Sequence, residues 1–347
     1  MRYTRPCIES FGYELAPVVV TYAELEARLQ PLYRDLHISE GQLEALTGIE
    51  ERRWWEPGTT VSEGAAKAAK KAIAAADVDP ATIDAVIYAG VCREQFEPAT
   101  ACRVASLLGV NPKAAVYDVS NACLGVMNGI VDVANRIELG QIKRGLVVAS
   151  ETAREINEVM IERMLHNRSM EFFTKGLTTL TGGSSAVAVL LGDGTGKGGN
   201  RRRVRGGVQQ TAPEFHGLCT WGLHSDGNGK IVQIMNTDSA AVLKFGVDLG
   251  LRTWRAFLEK AGWAREQVDR IICHQVGSGH QESILKALGL PLDRDFATYR
   301  WLGNMGTVSL PLTAAMAEEQ GFLKPGHRVG FLGIGSGLNC MMLAFEW

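Results

Sequence analysis

The chain has 347 residues, of which 46% are hydrophobic and 21% are charged, and its formal net charge is −2. A chain of this length and composition can bury a sizeable core in one large or two medium domains without disulfide bonds. The small net charge, with both signs interspersed, provides no basic surface, so nucleic acid is not an expected partner.

Neither the N-terminus nor any later stretch contains the apolar run typical of a secretion signal or a membrane span. We therefore expect a cytoplasmic protein with no integral membrane segment. The seven cysteines are odd in number and widely spread, they form no CxxC pair, and the histidines form no HExxH motif. These patterns predict neither a disulfide framework nor a metal site.

Apolar runs typical of strands alternate with helical patterns along the chain. We predict strands at residues 85–90, 114–120, 144–151, 184–192, 269–276 and 327–335, and helices at residues 61–78 and 241–262. Several of these strands are apolar throughout, as expected where helices cover both faces of a sheet. The sequence therefore predicts an α/β fold.

A weak internal repeat relates residues 82–130 to residues 267–312. Both stretches run through an apolar strand, a polar loop, a helix ending in Leu-Gly, a second strand and an asparagine-containing turn. We predict two tandem units, residues 1–200 and 201–347, joined in the Gly- and Arg-rich stretch 192–207, whose composition is typical of loops. A surface hairpin is equally compatible with that stretch, and the charges at 201–205 are more typical of a solvated face than of a binding site.

Cys123 follows the turn formers Ser120 and Asn121 and precedes an apolar helix. Unpaired N–H groups and the helix dipole favour an anion at such a position, which predicts a lowered thiol pKa. A lone cysteine before an apolar helix is more often a packed residue. Its chemical role therefore depends on partners elsewhere in the chain.

Two candidate partners occupy matching places in the second repeat. His274 lies at the C-terminal end of a predicted strand, where open α/β sheets place their sites, and Asn304 lies in the turn that corresponds to the Cys123 turn. Taken singly, a buried histidine and a turn residue remain the alternatives. If the repeats pack about a pseudo-twofold axis, the three residues meet and form a plausible acyl-transfer site.

Four segments together resemble the thiolase superfamily, specifically ketoacyl synthase III and its relatives: NACLG at Cys123, CHQVGSGH at His274, GNMGTVSLP at Asn304, and LGIGSGLNC near the C-terminus. The segment TGIEERRW, residues 47–54, is similar to an early signature of that group. The resemblance implies a five-layered αβαβα thiolase fold of two tandem repeats and a homodimer. It also implies a ping-pong Claisen condensation of CoA thioesters that needs no cofactor.

The resemblance also implies roles for individual residues. Cys123 would be the nucleophile, while His274 and Asn304 would polarise the carbonyl of the second thioester. The backbone N–H groups of Cys123 and Ser336 would form the oxyanion hole, although ordinary ketoacyl synthases III tend to have glycine at the position of Ser336. The neighbouring pair Arg52 and Arg53 could contact CoA phosphates.

Glu97, which precedes Pro98, resembles a feature of the OleA-type synthases, which join two long-chain acyl-CoA molecules head to head. In that branch the glutamate reaches into the partner subunit's site and removes a proton from the α-carbon. A simple acyl-CoA has no carboxylate to lose as CO₂, so its condensation needs a base, and apolar surroundings would raise the pKa of Glu97 towards neutrality. An ordinary loop carboxylate is the alternative reading of Glu97.

Two other functions are compatible with the sequence. One is a decarboxylative ketoacyl synthase III that uses malonyl on an acyl carrier protein, because the same cysteine, histidine and asparagine would serve it. The other is a non-catalytic thiolase-fold protein that binds acyl groups. The head-to-head condensing enzyme is the leading hypothesis.

Overall fold

The computed structural model describes residues 1–195, 202–225 and 229–347. In chain order its strands are β1 Cys7–Leu15, β2 Val18–Thr21, β3 Glu51–Trp54, β4 Ala85–Tyr88, β5 Ala115–Asp118, β6 Arg144–Glu151, β7 Ser185–Gly192, β8 Arg202–Thr211, β9 Cys219–Ser225, β10 Ile231–Thr237, β11 Arg270–Cys273, β12 Arg328–Gly335 and β13 Asn339–Glu346.

The helices are α1 Tyr22–Leu36, α2 Gln42–Thr47, α3 Val61–Ala75, α4 Thr100–Leu108, α5 Gly125–Glu138, α6 Arg154–His166, α7 Met170–Gly176, α8 Ser239–Ala261, α9 Ser278–Leu288, α10 Tyr299–Leu302 and α11 Ser309–Glu319. Short 3₁₀ turns lie at Pro80–Thr82, Leu177–Thr181, Pro213–Leu218, Arg265–Gln267, Leu292–Arg294 and Gly306–Val308. No described helix is both long and apolar enough to cross a membrane.

Nine strands form one sheet in the order β11-β12-β13-β8-β1-β7-β6-β4-β5. Strands from residues 7–192 occupy one side of this order, and strands from residues 202–346 occupy the other. The two sides meet where β1 pairs with β8 through only two residue pairs, Cys7 with Arg203 and Ile8 with Arg202. The sheet therefore consists of two halves, each drawn from one part of the chain.

Side-chain alternation along the strands assigns helices to three layers. In β6, Val147 and Ala149 face a core shared with α5 and α11, whereas Leu146 and Val148 face α3 and α4. In β13, alternate residues face the same central helices on one side and α8 and α9 on the other. The two halves of the nine-stranded sheet thus form two separate layers around the central helices. The resulting order of helix, sheet, helix, sheet, helix confirms the predicted five-layered αβαβα fold.

Helix α3 illustrates how the sequence sets this packing. Thr60 caps the helix in a reciprocal capping box with Glu63, and an alanine-rich face lets the helix approach the sheet closely. A Cβ atom at Gly12 of β1 would lie 2.2 Å from the carbonyl oxygen of Ala68. Glycine at this position is therefore required for the close contact of β1 with α3.

The predicted seam 192–207 lies partly outside the described residues, as does the predicted boundary between residues 200 and 201. The expectation of a loop is wrong for residues 202–207, because they belong to β8, which pairs with β13 and, at Arg202 and Arg203, with β1. In the charged stretch 201–205, Arg203 and Arg205 are exposed, as expected of a solvated face, whereas the Arg202 side chain is only 13% exposed and forms an ion pair of 2.7 Å with Glu318. The division into two units stays a prediction.

Candidate active site

A cavity of about 720 Å³ opens between the two halves of the fold, and its wall is mainly apolar. Cys123, His274, Asn304 and Ser336 all line this one cavity. The rest of the wall includes residues of α6, α8, α9, β12 and the β9–β10 hairpin, among them Ile156, Trp221, Met235, Val242, Leu243, Val247, Ile284 and Ile334. The structure thus brings together side chains that are up to 213 positions apart in the chain.

Cys123 lies in a tight turn between β5 and α5. The Leu124 N–H donates to the Asn121 carbonyl (2.9 Å) and the Gly125 N–H donates to the Ala122 carbonyl (3.2 Å), while Ala122 adopts a φ of +44°. A positive φ is uncommon for a residue with a Cβ atom, and it marks a backbone held by its surroundings. This turn presents Cys123 to the cavity immediately before the helix begins.

The predicted fall in the thiol pKa is wrong. Burial raises the pKa of Cys123 to about 12, and the nearby Cys219 and Glu151 add to the rise. A helix N-terminus contributes about 0.3–1 kcal/mol, whereas one pKa unit corresponds to about 1.4 kcal/mol. The cost of burying the thiolate therefore outweighs its stabilisation by the helix dipole, and the pKa of Cys123 rises. The free protein holds a neutral thiol.

The β12–β13 turn lies against the Cys123 turn. A Cβ atom at Gly335 would lie 3.3 Å from the Cys123 nitrogen, so Gly335 permits a close approach of the two backbones. Asn339 Nδ2 donates to Asn121 Oδ1 (3.1 Å), which ties the two turns together. Ser336, next to Gly335, lines the cavity on this side.

His274 follows β11, and its backbone N–H donates to the Leu332 carbonyl (3.0 Å). Burial, with a contribution from His280, lowers the pKa of His274 to about 4, so the imidazole is neutral at physiological pH. Its Nδ1 atom is buried and has no hydrogen-bond partner among the described residues. A neutral imidazole carries one N–H donor, which a ligand in the cavity can engage.

Asn304 is fixed by its own turn. Its N–H donates to the Thr181 carbonyl (2.9 Å), its carbonyl accepts the Gly183 N–H (2.9 Å), and its side-chain Oδ1 accepts the Gly306 N–H (3.0 Å). Because Oδ1 is already used, the amide NH₂ is the group left for a ligand. Asn304 therefore offers a donor to the same cavity as His274.

Glu151 is a cavity residue that the sequence analysis missed. It ends β6, its exposed fraction is 4%, and its two carboxylate oxygens accept the N–H groups of Val91 (2.8 Å) and Cys92 (3.0 Å). Burial raises its pKa, while these N–H groups and that of Thr307 oppose the rise. The signal was available, because Glu151 ends a predicted apolar strand in the same way that His274 does.

Glu97 is not part of this cavity within the single chain. It is exposed, in the loop of residues 91–99, next to Phe96, whose exposed fraction is 90%. The apolar surroundings expected for Glu97 are therefore not supplied by its own chain.

The structure places Arg52 and Arg53, the two arginines predicted to contact CoA phosphates, in different surroundings. Arg52 has no exposed surface, and its guanidinium lies 3.8 Å from the centre of the Tyr22 ring. The prediction that Arg52 contacts CoA phosphates is therefore wrong, because it is sealed within the core. Arg53 is half-buried and does not line the cavity, so its contact with CoA stays a prediction.

Comparisons with known proteins place the chain among condensing enzymes. Residues 49–182 match the thiolase N-terminal domain, and residues 258–347 match the C-terminal domain of 3-oxoacyl-[acyl-carrier-protein] synthase III. Acyl-CoA:acyl-CoA alkyltransferases from Shewanella oneidensis and Xanthomonas campestris are 56% and 35% identical to it, and each alignment covers both chains completely.

Solved structures of Xanthomonas campestris OleA also match. A variant with one cysteine replaced by alanine has a TM-score of 0.94 and 34% identity, and the match covers 100% of this chain and 98% of that one. A variant with the same cysteine replaced by serine, with bound lauric acid and lauroyl-CoA, has a TM-score of 0.93 and 34% identity, covering 99% and 100%. Other structures replace a histidine or a glutamate. The replaced glutamate and cysteine stand 26 positions apart, as Glu97 and Cys123 do.

Proposed function

Because the chain belongs to the acyl-CoA:acyl-CoA alkyltransferases, the thiolase-fold condensing enzymes that include OleA, we propose that it joins two long-chain acyl-CoA molecules head to head. The product is a 2-alkyl-3-oxoacyl thioester. The observation that carries this proposal is the similarity over the full length of both chains, together with one large apolar cavity that contains Cys123, His274 and Asn304.

In the first half-reaction, the Cys123 sulfur attacks the carbonyl carbon of an acyl-CoA. The carbon–sulfur bond to CoA breaks, the proton of the thiol leaves with the CoA sulfur, and the acyl chain remains on Cys123 as a thioester. The N–H groups of Cys123 and Ser336 stabilise the oxygen on which negative charge develops. The close approach of the two turns supports this assignment.

In the second half-reaction, a second acyl-CoA loses a proton from its α-carbon and becomes an enolate. The N–H of neutral His274 and the amide NH₂ of Asn304 donate to its carbonyl oxygen. The α-carbon then attacks the acyl-Cys123 carbonyl, a carbon–carbon bond forms, and the Cys123 sulfur leaves and regains a proton. No carbon is lost as CO₂.

The base for this step is Glu97 of a second copy of the chain. Glu97 is exposed and outside its own cavity, while the exposed Phe96 beside it offers an apolar surface to a neighbour. This arrangement supports a homodimer in which each subunit lends its loop of residues 91–99 to the other subunit's cavity.

Two tests address this function. Purified protein given a long-chain acyl-CoA as sole substrate should release CoA and form the condensed product; a requirement for malonyl on a carrier protein would overturn the proposal. Glu97→Gln should still accumulate acyl-Cys123, detectable by intact mass, but should not condense. Normal condensation by that variant would remove Glu97 from its role as base.

A further inference from the structure

The buried carboxylate of Glu151 has no part in the two half-reactions described above. It nevertheless lines the cavity that contains Cys123, with only 4% of its surface exposed. A carboxylate removed from water is costly unless its oxygens are satisfied, so its partners indicate what it holds in place.

One set of partners is the root of the loop that carries Glu97. Glu151 accepts the N–H groups of Val91 and Cys92, the first two residues of the loop of residues 91–99. One further group links the same root to β6: the Tyr88 hydroxyl lies within hydrogen-bond distance of the carbonyls of Cys92 (2.6 Å) and Ser150 (2.8 Å), so its single proton is shared between them. The loop root is therefore bound to the end of β6, and Glu151 supplies the only carboxylate among these contacts.

The opposite side of Glu151 contacts the Asn304 turn. A Cβ atom at Gly306 would lie 3.3 Å from the Glu151 Cγ atom, and Gly306 donates its N–H to Asn304 Oδ1. Gly306 has a φ of +56°, which suits glycine. One carboxylate thus touches both the turn that orients Asn304 and the root of the loop whose tip bears Glu97.

We propose that Glu151 is a positioning residue that couples each subunit's own cavity to the base that this subunit lends to its partner. It fixes the point at which the loop leaves the cavity wall, and so the position of Glu97 in the partner's cavity. This inference rests on the proposed function, because it requires Glu97 to act across a dimer.

Glu151→Gln tests the coupling with little change of shape. The amide retains one acceptor oxygen but turns its NH₂ group towards the other backbone donor, so either Val91 or Cys92 loses its partner. In the homodimer we expect acyl-Cys123 to accumulate, with condensation reduced about tenfold or more. A matched control is Glu138→Gln, because Glu138 also accepts two backbone N–H groups, those of Thr4 and Arg5, far from the cavity.

Hybrid dimers, purified through two different affinity tags, separate positioning from a general loss of structure. A Cys123→Ala subunit paired with a Glu97→Gln subunit has one competent site: its cysteine comes from the second subunit and its base from the first. Glu151→Gln is then added either to the subunit that lends the base or to the subunit that receives it. We expect about a tenfold loss of condensation in the first case and a much smaller loss in the second. The Glu138→Gln control should change neither.

The outcomes separate this inference from the proposed function. If the wild-type homodimer condenses but the reference hybrid does not, Glu97 does not act across the dimer; the inference about Glu151 then fails, while head-to-head condensation itself stands. If the reference hybrid condenses and the lending-subunit variant remains fully active, only the role of Glu151 is overturned. Equal losses in the two placements would indicate a structural effect and would also overturn it.

Discussion

Alkylation of the Cys123 thiol tests the electrostatics of the site. With a pKa of about 12, about one molecule in ten thousand carries the thiolate at pH 8. An ordinary cysteine with a pKa of about 8.5 is about one-quarter thiolate at that pH, a ratio of about 2,500. A more basic thiolate is intrinsically more nucleophilic. With a Brønsted slope of about 0.4–0.5, the pKa difference raises the rate constant of the Cys123 thiolate about 40-fold. Cys123 should therefore react about 60-fold more slowly than a free thiol.

The assay is iodoacetamide labelling of the protein without acyl-CoA, followed by peptide mapping at pH 6 to 11. The logarithm of the Cys123 rate should rise with a slope near one and show no plateau below pH 10, because the thiolate population keeps growing throughout. Free glutathione under the same conditions provides the reference. A plateau near pH 7, or a rate above that of glutathione, would refute the dominance of burial over the helix dipole.

Three further substitutions probe the site and its surroundings. Asn304→Ala should leave acyl-Cys123 formation intact but slow condensation about 10²- to 10³-fold, as for loss of one oxyanion donor; equal loss of both steps would contradict its role. Gly246→Leu adds a side chain whose Cβ atom would lie 3.0 Å from Ile334 Cδ1 in the cavity wall. For long acyl chains kcat/KM should fall about fourfold for each methylene excluded, while short chains are spared. An unchanged chain-length profile would contradict this. Arg52→Met should keep or raise the Tm and leave the KM for acyl-CoA unchanged, because the buried guanidinium packs on the Tyr22 ring and forms no ion pair among the described residues; a clear fall in Tm would show otherwise.

Much of the fold could be predicted because its strands are apolar and its helices periodic. The predicted strands at 144–151 and 327–335 correspond to β6, Arg144–Glu151, and β12, Arg328–Gly335. Residues 202–207 of β8 resemble a loop in sequence because glycines and arginines are typical of turns. In the fold Gly207 allows β8 to lie close to β13: a Cβ atom there would be 2.3 Å from the Met342 carbonyl oxygen. Such tertiary pairing is not visible in local composition.

The site could be predicted only as far as local patterns reach. Local sequence patterns predict the turn and strand-end positions of Cys123, His274 and Asn304, and the structure places all three in one cavity. The direction of the Cys123 pKa shift could not be predicted from the sequence, because burial of the thiol depends on residues far away in the chain. The sealed position of Arg52 against Tyr22 likewise depends on how α1 packs against β3.

In head-to-head condensation both acyl chains enter the product complete. The most direct measurement supplies the purified protein with one long-chain acyl-CoA labelled with ¹³C at the carbonyl carbon and determines the mass of the condensed thioester product. Retention of both labels in one product, formed without any malonyl donor, is the predicted result. A product that appears only when malonyl is supplied, and that carries a single label, would contradict head-to-head condensation.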